Sequence, residues 1–147
     1  MQRLDDLIAW FETLSTDNLG RVAEFYAADA EFKDPFNEVR GPSAIEHIFR
    51  HMFVQVAEPR FVVTSRFLGS PPEGGAMLLW EFHFGTRAPL PRRAMVARGT
   101  THLRFDAAGQ VTLHRDYWDA AEELYAKLPL LGALMRWLRR RAATPGR

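Results

Sequence analysis

Apolar positions along the chain change period from segment to segment, and the changes mark its elements. Leu4, Leu7, Ile8, Phe11 and Leu14 recur at three- and four-residue steps, which predicts an amphipathic helix over about residues 4–14. Leu19, Val22, Ala23, Tyr26 and Ala27 repeat the pattern and predict a second helix over about residues 17–28, with Ser15 or Thr16 as its cap. Ala30 to Asp34 then alternates as a short strand with one buried face should. Gly41-Pro42 opens a third helix with Pro42 in its first turn and Ile45, Ile48, Phe49, Met52, Phe53 and Val56 on one side.

Four strand-like stretches follow, over about residues 60–68, 76–85, 94–105 and 110–118. They are separated by connectors rich in the Gly, Pro and Asp that turns require. Strands joined in this way make a curved antiparallel sheet, so the pattern predicts an α+β fold. The tail from Ala120 to Arg141 reads as helical with a break near Pro129. Beyond the proline, Leu130, Leu131, Leu134, Trp137 and Leu138 share one side, while Arg136, Arg139, Arg140 and Arg141 gather towards the end. We read residues 1–120 as the main domain and residues 121–147 as a basic amphipathic extension packed on it.

Composition narrows the function classes. Eleven Phe, four Trp and three Tyr supply enough flat apolar surface for a core and equally for a cavity that takes a hydrophobic ligand. Cysteine is absent, which removes disulfides, thiolate nucleophiles and thiolate metal sites. His47 and His51 have helical metal-ligand spacing but fall opposite the apolar stripe of their helix, so no metal site is expected. Acids at Asp5 and Asp6 argue against a signal peptide, and no run reaches the ~20 apolar residues of a membrane span; a cytoplasmic protein is expected. A net charge of +1 gives no general attraction for nucleic acid.

Two motifs carry a resemblance. Phe32-Lys33-Asp34-Pro35-Phe36 followed by Gly41-Pro42-Ser43-Ala44-Ile45, together with His114-Arg115-Asp116-Tyr117-Trp118, resembles the nuclear transport factor 2-like superfamily. Within it the chain is more narrowly similar to the SnoaL-like group, which includes ketosteroid isomerase and limonene epoxide hydrolase. The resemblance covers about residues 3–120. It implies a cone in which a curved antiparallel sheet, closed by three N-terminal helices, holds a small hydrophobic molecule, with an additional C-terminal helix here. Asp34 stands where the isomerase keeps its general base, while Trp10 and Thr101 occupy the places of its oxyanion donors. Threonine is no acid, so that isomerase mechanism does not transfer. Asp116 matches the last-strand aspartate of the epoxide hydrolase and the polyketide cyclases. Phe82 and Phe84 replace the hydrolase's other two polar residues.

The period of a strand extends this reading, because residues two apart share a face. If Asp116 faces the cavity, His114 and Trp118 do too, and the neighbouring strands add Trp80, Phe82, Phe84, Thr101 and Leu103. Asp34, Asp116 and His114 are thus the catalytic candidates. Trp10, Phe32, Phe36, Phe53, Trp80, Phe82, Phe84, Thr101, Leu103 and Trp118 are the binding candidates. The expected function is binding of a small hydrophobic molecule, with cofactor-independent acid/base chemistry of isomerase, cyclase or hydrolase type. The alternative is a non-catalytic ligand-binding or dimerisation module. A homodimer is expected through the outer sheet face that carries His83, His102 and Arg104, and the C-terminal helix is a candidate for peripheral membrane contact.

Overall fold

Helix α1 (Gln2–Glu12) buries Leu4, Leu7, Ile8, Trp10 and Phe11, the side that its apolar spacing marks out. The computed structural model describes residues 2–143 of the chain. Asp5 pairs with Arg66, and Glu12 accepts a hydrogen bond from the Val63 backbone N–H at 2.8 Å. These two ties fix α1 along one edge strand of the sheet.

The second predicted helix is cut short. A 3-10 turn over Leu19–Arg21 runs into helix α2 (Val22–Phe25), and the backbone becomes extended at Tyr26. Strand β1 (Tyr26–Lys33) begins there because Tyr26 pairs beside Val111, and Phe32 beside His114. Those ladder bonds and the burial of Tyr26, Ala27, Ala30 and Phe32 outweigh the local helix preference of the alanines. Neither Ser15 nor Thr16 caps a helix. Asn18 closes the turn instead, accepting from the Ser15 N–H at 2.8 Å and donating to the Thr13 carbonyl at 2.8 Å.

A short strand that the periodicity did not show, β2 (Glu38–Arg40), pairs antiparallel with β1. Helix α3 (Pro42–Gln55) starts at Pro42 as expected and buries Ile45 and Phe49. Gly41 precedes it with φ of 90°, a conformation that L side chains rarely adopt, and an added Cβ would meet the Ala28 carbonyl oxygen at 3.3 Å.

Strands β3 (Ala57–Leu68), β4 (Ala76–Gly85), β5 (Ala94–Phe105) and β6 (Val111–Tyr117) lie within a few residues of their predicted positions. The sheet order is β2-β1-β6-β5-β4-β3. The four consecutive strands pair antiparallel as expected, and so do β1 and β2, while β1 and β6, which the sequence did not pair, run parallel and make the sheet mixed. The reason is connectivity: these two strands are distant in the chain, and no hairpin forces them to reverse. Register shifts between Ala57 and Arg60 and between Val63 and Ser65 mark bulges, which bend β3 and help the sheet curve.

Met1–Tyr117 and Trp118–Arg147 form two compact units. In the second, Asp119 caps helix α4 (Ala120–Glu123) by accepting from the Glu122 N–H at 3.1 Å, and a 3-10 turn spans Tyr125–Lys127. Helix α5 (Pro129–Ala142) follows, with the interruption before Pro129 where the sequence places it. The side chain of Leu130, counted in the apolar stripe, lies outside the described residues. Among the described residues no helix is long and apolar enough to cross a membrane.

Candidate active site

The sheet register assembles a polar cluster on an otherwise apolar face. Thr101 of β5 lies opposite Asp116 of β6, and Leu103 opposite His114. On the other side, Trp80 of β4 lies opposite Gly99, which has no side chain, so the indole reaches the diagonal neighbour Thr101. Trp80 Nε1 donates to Thr101 Oγ1 at 2.8 Å, and Thr101 Oγ1 donates to Asp116 Oδ1 at 2.5 Å. His114 Nε2 meets the same Asp116 oxygen at 2.9 Å, and its Nδ1 lies 2.7 Å from the Tyr26 hydroxyl. Four hydrogen bonds therefore join five side chains in one chain.

Counting donors and acceptors assigns the protons. With Asp116 as carboxylate, His114 must carry hydrogen on Nε2 to bond it, which leaves Nδ1 to accept from Tyr26 O–H. The neutral Nε2–H imidazole satisfies every contact. An imidazolium would donate from Nδ1 as well and strand the phenol proton. Tyr26 favours the same assignment, because burial, and then the nearby charge of Asp116, push its hydroxyl well above its ordinary pKa of 10.0. The imidazole is held edge-on by Phe11 and lies over Phe32 at 4.6 Å between ring centres. Its side chain is 4% exposed and that of Asp116 18%.

Tyr26→Phe removes the only described partner of His114 Nδ1 and leaves a buried acceptor unsatisfied, so we expect a loss of about 1–3 kcal/mol near neutral pH. Alkali narrows the difference. Above about pH 10 the unfolded chain releases its phenolic proton while the folded Tyr26 keeps it, so wild-type stability falls with rising pH. Tyr26→Phe lacks that term, and urea unfolding between pH 8 and 11 should show a flatter alkaline limb.

Asp116, His114 and Thr101 form the polar end of a small cavity. Phe11 and Phe49 wall it from the helices, and Phe61, Val63, Leu78 and Trp80 from β3 and β4. Its volume is about 30 Å³, room for roughly one or two water molecules. Asp116 Oδ1 is occupied by two bonds, while Oδ2 has no hydrogen-bond partner among the described residues. The arrangement offers an oriented carboxylate with one open oxygen in apolar surroundings. Such a group can accept a proton and return it.

Of the other candidates, only Trp80 and Thr101 line this cavity. Asp34 lies apart: its Oδ1 accepts from the backbone N–H groups of Phe36 at 2.8 Å and Asn37 at 2.6 Å, holding the turn before β2. Phe36 stands on that turn, 56% exposed. Trp10 is in the core, stacked on Phe25 at 5.2 Å with Nε1 donating to the Asn18 carbonyl at 3.0 Å. Phe32 backs the imidazole, and Leu103 is wholly buried. Phe53 is half-buried on α3. Phe82 and Phe84 continue a ladder of stacked rings from Phe61, at 4.6 and 5.0 Å. Trp118 begins the second unit.

Sequence reasoning missed Tyr26, which it counted as a helical core position, and the cavity walls Phe11, Phe49, Phe61, Val63 and Leu78. Phe61 and Val63 were accessible in principle, since they are two apart on a strand that pairs with Phe82 and Trp80. A larger depression of about 440 Å³ lies on the other side of the sheet, lined by Gly69, Gly74, Ala76, Met77, Thr100, His102 and Tyr117.

A family model, the SnoaL-like domain, matches residues 7–114, well over half of the chain. The chain belongs to the SnoaL-like family. Solved structures agree on the fold. An NTF2-like protein of unknown function from Exiguobacterium sp. 255-15 superposes with a TM-score of 0.67 at 13% identity, covering 80% of this chain and 98% of the other. A candidate SnoaL-like polyketide cyclase from Shewanella putrefaciens CN-32 gives 0.67 at 18% identity, over 84% and 96% of the two chains. A protein of ketosteroid isomerase-like fold from Catenulispora acidiphila DSM 44928, in complex with trimethylamine, gives 0.65 at 16% identity, over 84% and 92%. No curated protein matches by sequence. For this SnoaL-like protein the comparisons establish the fold and the family, and the chemistry rests on its own residues.

Proposed function

We propose that this SnoaL-like protein binds a small apolar carbonyl compound and moves a proton within it at Asp116. The observation that carries the reading is the half-engaged carboxylate of a residue that lines the cavity: Oδ1 is fixed by Thr101 and His114, and Oδ2 has no hydrogen-bond partner among the described residues. Oδ2 would take a proton from a carbon beside the carbonyl, and the resulting carboxylic acid would deliver it to a second carbon or to an alkoxide oxygen. No proton is gained or lost overall. Thr101 and His114 hold the group throughout, and Trp80 keeps the Thr101 hydroxyl turned towards it.

The same bonds limit the substrate. The N–H and O–H groups of Trp80, Thr101, His114 and Tyr26 all point at one another or at Asp116 Oδ1, so none is left to stabilise a developing oxyanion. A substrate that suits the site brings its own activation, as a β-keto ester does with a C–H between two carbonyls. The candidate cyclase among the structural neighbours is in keeping with isomerase- or cyclase-type chemistry. The protein would work as a homodimer paired through the outer sheet face, where Phe67, Leu79 and Tyr117 are exposed.

One observation favours the non-catalytic alternative. A cavity of about 30 Å³ is far below the roughly 300–1,000 Å³ of sites for drug-sized ligands, so a ring-sized molecule enters only if the cavity's walls move. The test combines binding with deuterium wash-in on small β-keto esters, followed by NMR. We expect a change in indole emission that disappears in Trp80→Phe, and proton exchange faster than in buffer alone. Binding with exchange at the buffer rate leaves a binding module, and no binding at all ends both readings.

A further inference from the structure

Helix α5 is exposed along its apolar side. Leu131, Leu134, Trp137 and Leu138 are all open, Leu134 at 50% and Trp137 at 47%. At about 100° per residue, Leu131, Leu134 and Leu138 fall on one stripe, with Trp137 on its flank. Arg136, Arg139 and Arg140 occupy the opposite arc, and the helix contains no acidic residue. Arg141, in the last turn, falls between Leu134 and Trp137 around the helix, and its guanidinium lies over the Trp137 ring at 5.2 Å. Arg139 pairs with Glu122, and Arg136 donates to the Ala126 carbonyl at 2.8 Å, which hold the basic side in place.

We infer that α5 docks this protein on an anionic membrane surface, lying in the interface with its leucines and Trp137 in the lipid and its arginines among the headgroups. The charge complementarity is specific to that occupant. An exposed leucine stripe alone would suit any apolar partner, but four arginines along a helix without a carboxylate would repel a second copy of the same helix and attract anionic lipid. Nucleic acid answers the charge but leaves the stripe in water. The fourteen residues of α5 are too few to span a bilayer in any case, since a span needs about 20, so the helix lies on the surface. This inference is independent of the chemistry proposed at Asp116.

The experiment is co-sedimentation of the full chain with vesicles of phosphatidylcholine alone and of phosphatidylcholine with about a third phosphatidylserine. We expect binding to the anionic vesicles only, weakening as salt rises from 0.05 to 0.5 M as screening requires (about these bounds). Arg140→Glu with Arg141→Glu should weaken it about tenfold or more, and Leu134→Ser with Leu138→Ser should do the same. Both pairs are exposed, so circular dichroism and melting should match wild type. Equal sedimentation with neutral and anionic vesicles, or binding that neither double variant changes, overturns the inference. So does an absence of binding, whether the leucine variant then alters oligomeric state in light scattering, which assigns the stripe to a second copy, or the chain instead binds single-stranded RNA.

Discussion

Asp116→Asn should reduce turnover of a proton-transfer substrate by roughly two to four orders of magnitude while leaving its affinity nearly unchanged. The asparagine carbonyl oxygen can still accept from Thr101 and His114, as Asp116 Oδ1 does at 2.5 and 2.9 Å, so the amide NH2 takes the place of Oδ2. The cluster stays assembled, and only the basic oxygen is lost. A base acts in the transition state, which is why the loss appears in kcat and not in binding. Asp34→Asn is the matched control, because that carboxylate serves the turn at Phe36 and Asn37, and its turnover should stay within about twofold of wild type. Equal rates for Asp116→Asn and wild type would remove proton transfer from this site and leave ligand binding alone.

The register of β4, β5 and β6 was legible because their alternation holds through the pairs that carry the site, the register shift between β5 and β6 falling beyond Arg104. Once Asp116 is placed inward, Thr101, Trp80 and His114 follow from pairing, and the structure brings those four together. Asp34 shows where the same logic stops. Its strand ends at Lys33, so the two-residue period no longer governs it, and a short polar side chain before proline finds backbone N–H groups within reach. Tyr26 was illegible for a different reason. The alanines around it have strong helix preference, and only the distant β6, more than eighty residues on, shows that the segment is a strand carrying a hydroxyl to His114. Local pattern reads local structure, whereas a parallel pairing between the two ends of a domain leaves no local mark.

Trp10 makes the sharpest separation between a cavity residue and a core residue. Its side chain is 1% exposed and sits among Phe11, Phe25, Tyr26 and Phe49, with ring centres 5.2 to 6.4 Å away. Trp10→Ala deletes an indole that neighbouring rings cannot replace without leaving their own rotamers, and it also removes the donor to the Asn18 carbonyl that helps close the turn after α1. We expect a loss of about 3–5 kcal/mol, the cost of emptying a large aromatic site in a core. For a domain whose total stability is on the order of 5–15 kcal/mol, that is enough to lower the melting temperature by roughly 15 °C. Urea unfolding measures it as a lower midpoint at unchanged slope. A ligand-facing tryptophan behaves otherwise, since its removal enlarges a site already open to water or ligand and costs far less. A loss below about 1 kcal/mol, together with weakened ligand binding, would return Trp10 to the cavity wall. Because Tyr26 packs edge-on against this indole, its hydroxyl should also hold His114 less firmly in Trp10→Ala, and the flattened alkaline limb expected of Tyr26→Phe should appear there in part.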